Sequence, residues 1–153
     1  MNKPFTESVI EQAALAWLES INYTSAFGLD IAPDGAFSER ENYEQVVLIE
    51  RLQQSLLILN PKVSTDAIEE ALRKLTKLDS PSLITNNHTF HKYLIEGVPV
   101  EYPREDGSIA GDYVQVIDFD NPDNNDFLAV NKFTVIENKN ERMTDTDMFV
   151  NGL

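Results

Sequence analysis

The spacing of apolar positions along this chain changes once, from a helical period up to Gly97 to a strand period after it. In the first part, Val9, Ala13, Trp17 and Ser20 fall on one helical stripe and Ile10, Ala14, Leu18 and Ile21 on its neighbour. Together they predict a helix over 9–20 with a wide core-facing side that includes Trp17. Ser8-Val9-Ile10-Glu11 has the form of a capping box at its start, in which Ser and Glu satisfy each other's backbone donors. Tyr23 to Phe27 suits a short strand, and Pro33-Asp34-Gly35 a turn. Val47, Leu48, Leu52, Leu56 and Leu59 predict a second helix over 43–59, closed by Asn60-Pro61 because proline cannot continue the ladder. Ser64 caps a third over 65–78, with Ile68, Leu72 and Leu75 on its apolar face, and a fourth spans 87–96 before Gly97.

Beyond Gly97, Val98, Val100 and Tyr102 alternate toward a turn at 105–108, and 113–119 alternates again. A further strand covers 128–137, and Asn138-Lys139-Asn140 turns into a last strand over 145–150. Asn151-Gly152 follows that strand, and an Asn-Gly pair after alternating apolar residues is the strongest short-range hairpin signal, since both residues tolerate positive φ. The returning strand is expected beyond Leu153, so the chain reads as the front part of a longer protein. Helices first and strands second predict an α+β (mixed α/β) fold in a single domain. Residues 1–97 form its mainly helical part and 98–153 its mainly β part, with the helices packed on a largely antiparallel or mixed sheet.

Composition supports a packed domain: 42% of the 153 residues are hydrophobic and 25% charged, near the globular average. No apolar run approaches the roughly 20 residues of a membrane span, and Met1 to Thr6 lacks the basic-then-apolar order of a signal peptide, so no membrane association and a cytoplasmic location are expected. The absence of cysteine excludes disulfides, zinc-thiolate sites and cysteine nucleophiles. Charge is the least ordinary property. With 26 acids against 12 bases the formal net charge is −14, which argues against an exposed surface that coats nucleic acid. Either a basic surface is supplied elsewhere, by the parent chain or a partner, or the acidity is itself functional, as in a module that imitates DNA.

Carboxylates are the only plentiful reactive groups, and hard cations such as Mg²⁺ prefer them, so metal-dependent hydrolysis is the chemistry this composition least obstructs. Asp145 and Asp147 flank Thr146 in a predicted strand, which puts both on one face. Glu11 precedes Leu15 and Leu18 by one and two turns, at the edge of the apolar face. Asp118-Phe119-Asp120 repeats the strand arrangement. Each has a plainer reading: solvated turn flanks for Asp145 and Asp147, a cap for Glu11, a loop for Asp118 and Asp120. His88 and His91 have a permitted metal spacing but lack a third ligand. No dinucleotide, phosphate-loop, hydrolase-elbow or zincin motif is present.

Several stretches, in order and covering nearly the whole chain, resemble the start of the restriction subunit of type I restriction-modification enzymes. They are Phe5-Thr6-Glu7-Ser8 through Ala13-Ala14-Leu15-Ala16-Trp17-Leu18, Asp30-Ile31-Ala32-Pro33-Asp34-Gly35, and Ala67 through Leu75. Glu96 through Tyr102, Ile117-Asp118-Phe119-Asp120-Asn121-Pro122, Asn124 through Asn131, and Val150-Asn151-Gly152-Leu153 continue the series. The resemblance implies a restriction-endonuclease-like core of the PD-(D/E)xK type, at the N-terminus of a large subunit whose later parts are an ATP-driven DNA translocase. It further implies Mg²⁺-dependent cleavage of DNA in a complex with methylation and specificity subunits. In the family's pattern a strand Asp precedes the Asn-Gly-Leu turn and the returning strand carries Glu-x-Lys, so the metal-binding Asp falls on Asp145 and the helix Glu on Glu11. A chain ending at the turn is expected to be catalytically incomplete. Thr144 stands where the family usually has Pro, and Asp147 where an apolar residue is usual, leaving Asp147 as a second acid of the site or, in a shifted register, the ligand itself. Asn22 replaces a common Gly, a change compatible with a helix C-terminus.

Overall fold

The computed structural model describes residues 6–153, so the leading stretch read for targeting order, with Phe5 of the resemblance, lies outside the described residues. Elements follow in the order α1 (Glu7–Ser20), β1 (Thr24–Phe27), α2 (Ile49–Leu59), α3 (Thr65–Thr76), α4 (Leu83–Glu96), β2 (Val98–Pro103), β3 (Ile109–Val114), β4 (Phe127–Asn131), β5 (Thr134–Glu137), β6 (Asn140–Met143) and β7 (Thr146–Val150), with a 3-10 turn at Pro122–Asn124 before β4. The fold is α+β, with both parallel and antiparallel strand pairs. It divides into two compact units: the chain through Ile49 joined by Asp126–Leu153, and the continuous stretch Glu50–Asn125 between them.

The first unit is built on a sheet of order β1-β4-β7, with β1 parallel and β7 antiparallel to β4. Its core joins Leu128 and Val130 of β4 to Ile31, Leu48, Phe133 and Phe149. The stretch predicted as one strand over 128–137 is two, because Lys132 adopts the left-handed conformation with φ of 58°. Pairing nevertheless continues in register through the interruption: Asn131 faces Thr146 on one side and Thr134 faces Met143 on the other. Between them the Lys132 N–H donates to the Asp145 carbonyl at 3.2 Å and the Thr144 N–H to the Phe133 carbonyl at 3.0 Å. The result is one long hairpin, kinked at Lys132 and closed at its far end by Asn138 and Lys139, both at positive φ. Strand β6, which the pattern did not predict, is the returning half of that far end.

Asn151 and Gly152 form the expected two-residue turn, at φ of 54° and 84°, with Val150 and Leu153 exchanging backbone hydrogen bonds. Asn151 is fully buried, and its carbonyl oxygen Oδ1 accepts from the Asp126 N–H at 2.7 Å.

Helix α1 corrects three expectations. It begins two residues earlier, with Thr6 at its N-cap and no side-chain cap. Ser8 therefore lies inside the first turn, and the capping box does not form because the Glu11 carboxylate is engaged by Lys132 instead. Of the two predicted stripes only Ala14 and Leu18 turn inward: Trp17 is 77% exposed, and Val9, Ile10 and Ile21 are exposed with it. The face turned inward is Glu11, Ala14, Leu15 and Leu18, spaced i, i+3, i+4 and i+7. A three-strand sheet needs only one such stripe, and the Glu11–Lys132 pair fixes which. Asn22 takes the left-handed position after the helix, at φ of 72°.

The second helix starts at Ile49 instead of 43, because polar side chains hold residues 40–47 in a loop. The Asn42 carbonyl oxygen accepts from the N–H groups of Glu44 and Gln45, both at 3.0 Å. Arg40, buried beside Phe133 with its guanidinium 4.1 Å from the ring centre, donates to the carbonyls of Thr134, Gln45 and Tyr43 at 2.7, 2.8 and 2.9 Å.

In the second unit α3 packs on the β2–β3 hairpin. Its Ala67, Ile68, Ala71 and Leu75 are buried, as are Val98, Val100, Ala110 and Val114 of the hairpin. Ser64 caps α3 by accepting from the Ala67 N–H at 3.3 Å, and Ser82 caps an earlier-starting α4 in the same way, from Thr85. The strand predicted over 113–119 occupies Ile109–Val114. From Gln115 the backbone pairs with a side chain in place of a strand: Asn60 accepts from the Gln115 N–H and donates to its carbonyl, each at 2.8 Å.

Candidate metal site at the kinked hairpin

Glu7 and Glu11 lie four residues apart on α1, hence on one face. Because α1 lies against β1, β4 and β7, that face meets the kink of the hairpin. Carboxylate oxygens of Glu7, Glu11 and Asp145 come within 4.8 Å of one another, with Glu11 buried and the other two exposed. The Lys132 ammonium stands among them, donating to Glu11 Oε1 at 2.5 Å and 3.7 Å from Glu7 Oε1. Lys132 and Asp145 face each other across the kink, so the bend that interrupts the strands also gathers these groups.

Glycine makes the kink possible. A Cβ at Gly28 would lie 2.1 Å from the Lys132 carbonyl oxygen, so only glycine lets the end of β1 close on this point. Its N–H donates to the Asn131 carbonyl at 2.7 Å. The hydrogen bond to Glu11 holds the Lys132 ammonium above its ordinary pKa of 10.5, against the opposing effect of burial and with the charges of Glu11, Glu7 and Asp145 adding to it. Three carboxylates against one ammonium leave the cluster negative, and an all-carboxylate donor set suits a hard divalent cation such as Mg²⁺ and not a soft one.

Of the residues singled out from the sequence, Glu11 and Asp145 are brought together from opposite ends of the chain. Asp145 stands at a bend one residue before β7 and not within the strand, because the kink opposite Lys132 interrupts the ladder there. Asp147 does not join the group: its carboxylate accepts from the Thr144 hydroxyl. Asp118 organises a loop, accepting from the N–H groups of Asp120 and Asn121 and from the Asn124 amide, and these bonds, the Asn124 amide first, keep its pKa below the ordinary 3.8. His88 and His91 stay on α4, and among the described residues no further ligand joins them. No helix among the described residues is long and apolar enough to cross a membrane.

Sequence reasoning missed Glu7 and Lys132. The signal for Glu7 was its four-residue spacing from Glu11. That for Lys132 was a change of parity, since apolar positions fall on 128 and 130 before it and on 133 and 135 after it.

Comparison with known proteins bears on the family of the chain. Residues 4–153 match the family model described as type I restriction enzyme R protein N terminus. The chain is 35% identical over 149 residues to the type I restriction enzyme HindI endonuclease subunit of Haemophilus influenzae, covering 96% of this chain and 14% of that protein. It is 30% identical over 148 residues to a Methanocaldococcus jannaschii protein provisionally named as the MjaIXP endonuclease subunit of a type I restriction enzyme, covering 95% of this chain and 14% of the relative. The chain thus spans about a seventh of the length of these relatives, at 14% of each. With the family match running through the helix glutamates, the kink and the closing Asn-Gly turn alike, the chain belongs to the type I restriction enzyme R protein N-terminal family.

Proposed function

We propose that this chain is the metal-binding part of a DNA-cleaving domain in a type I restriction endonuclease subunit. The observation that carries this reading is the meeting of Glu11 and Asp145, far apart in sequence, in one carboxylate cluster with Glu7. A module that only imitates DNA needs acids spread over a surface and has no use for their convergence around a buried glutamate. In this reading Glu11 and Asp145 hold Mg²⁺, with Glu7 as a further oxygen donor, and Asp147 fixes the segment before β7 through Thr144. When bound, the ion polarises the scissile phosphate and lowers the pKa of an attacking water. The chain's own contribution is placement: α1 and the kink set the carboxylates before any ion arrives. Lys132 offsets their repulsion.

The rest of the activity lies with the larger assembly under this proposal. ATP-driven translocation belongs to other parts of the subunit, and DNA is presented in the cytoplasm together with methylation and specificity subunits. A chain of these 153 residues is expected not to cut DNA by itself. The test is Glu11→Gln and Asp145→Asn in the whole subunit assembled with its partners. Mg²⁺-dependent cleavage should fall by about a hundredfold or more while ATP hydrolysis persists. Unchanged cleavage in both variants would reject the site and favour the acidic, non-catalytic module.

A further inference from the structure

Among the described residues Lys132 is the cation that bridges into the cluster, pairing with both Glu11 and Glu7. Its backbone N–H donates to the Asp145 carbonyl at 3.2 Å, and its carbonyl lies close against Gly28, where the missing Cβ leaves the needed space. From that anchor the side chain reaches Glu11 at 2.5 Å and Glu7 at 3.7 Å. The ammonium takes the room between the two glutamates. A divalent ion bound to the same oxygens would come within a few ångströms of it, and two cations so close repel strongly in a partly buried site.

We propose that Lys132 is the resident counter-ion of the metal-free cluster, which a divalent ion must displace from Glu11 before it can bind. This inference rests on the reading of Glu11 and Asp145 as metal ligands and deepens it. Lys132 is a positioning residue here: it acts through Glu11, keeping the carboxylate ordered and its charge balanced while no ion is present. The Lys132 side chain remains 27% exposed, so the freed ammonium can reach solvent. A phosphate oxygen of a bound nucleic acid is the chemical partner it would then suit. Metal and phosphate binding would in that case reinforce each other, each releasing Lys132 from what the other needs.

The test is Mn²⁺ affinity of the full chain by calorimetry for wild type, Lys132→Met, Lys132→Arg and Glu11→Gln, with thermal unfolding of the same proteins in chelator. Displacement predicts that Lys132→Met unfolds at a lower temperature without metal yet binds Mn²⁺ roughly five- to tenfold more tightly. Lys132→Arg, which keeps the charge, should stay near wild type, and Glu11→Gln should lose binding. A merely structural lysine would lower stability in chelator without tightening Mn²⁺ binding, and that result overturns the proposal while leaving the metal site standing. Mn²⁺ binding by none of the four overturns the metal site and this inference together.

Discussion

Asn151 carries two burdens in one residue, a left-handed backbone and a buried amide paired with the Asp126 N–H. Asn151→Ala removes the acceptor and leaves the strain, and should cost about 2–3 kcal/mol, read from the shift of the urea midpoint. Asn151→Gly also removes the acceptor but relieves the strain, and is expected to cost less. Asp118 gives the pH counterpart. Its pKa is depressed in the folded chain, so it contributes stability above its ordinary 3.8 and loses that contribution as pH falls through the folded value. Asp118→Asn should flatten the acid limb of a stability profile below about pH 4 and leave neutral pH nearly unchanged in slope. At this scale the sequence was legible where a residue has one conformational reason to be present. The Asn-Gly turn, the Ser64 cap and the left-handed Asn22 were all readable from residue type. Glu11 was readable as an acid at the edge of an apolar face, whereas its partner was not, because the change of parity at Lys132 marks a break in the strand without saying which side chain it aims at the helix.

Among the elements, α1 separates pattern from packing. Its apolar residues fill more than one stripe, so periodicity alone does not say which stripe is inside, and tertiary contact decides. Trp17, the sole tryptophan of the chain, is left outside. Its fluorescence should resemble that of a solvated indole and be readily quenched by acrylamide, and Trp17→Ala should change stability by less than about 0.5 kcal/mol. A blue-shifted, protected emission would contradict the orientation of the helix. The contact between β1 and the kink makes the opposite claim. Gly28→Ala drives a Cβ into the Lys132 carbonyl, with no flexible side chain to yield, and should cost about 3 kcal/mol or more. Reading 128–137 as one strand and 43–59 as one helix missed these points for a shared reason. Both breaks depend on partners distant in sequence, Asp145 and Gly28 for the first, Thr134 with Arg40 for the second.

Over the whole molecule, the α+β class was legible from the order of the two periods, but the division of the chain was not. The stretch Glu50–Asn125 is continuous and has its own buried set, Leu52, Leu56, Ile68, Leu75, Val98, Val100 and Val114 among it. Expressed alone it should fold, with helical circular dichroism and a cooperative thermal transition. The other unit has no continuous sequence to express, since its sheet joins Thr24 to Leu128 in parallel register. That pairing has a consequence during synthesis. β1 leaves the ribosome roughly 100 residues before its partner, which at common elongation rates means a wait of about 5–20 s. Throughout it, α1 has no sheet to lie on, and Glu11 has neither Lys132 nor Asp145. The carboxylate cluster therefore cannot exist on a half-made chain. Under the proposed function, a growing polypeptide therefore holds no assembled metal site until translation has passed β7.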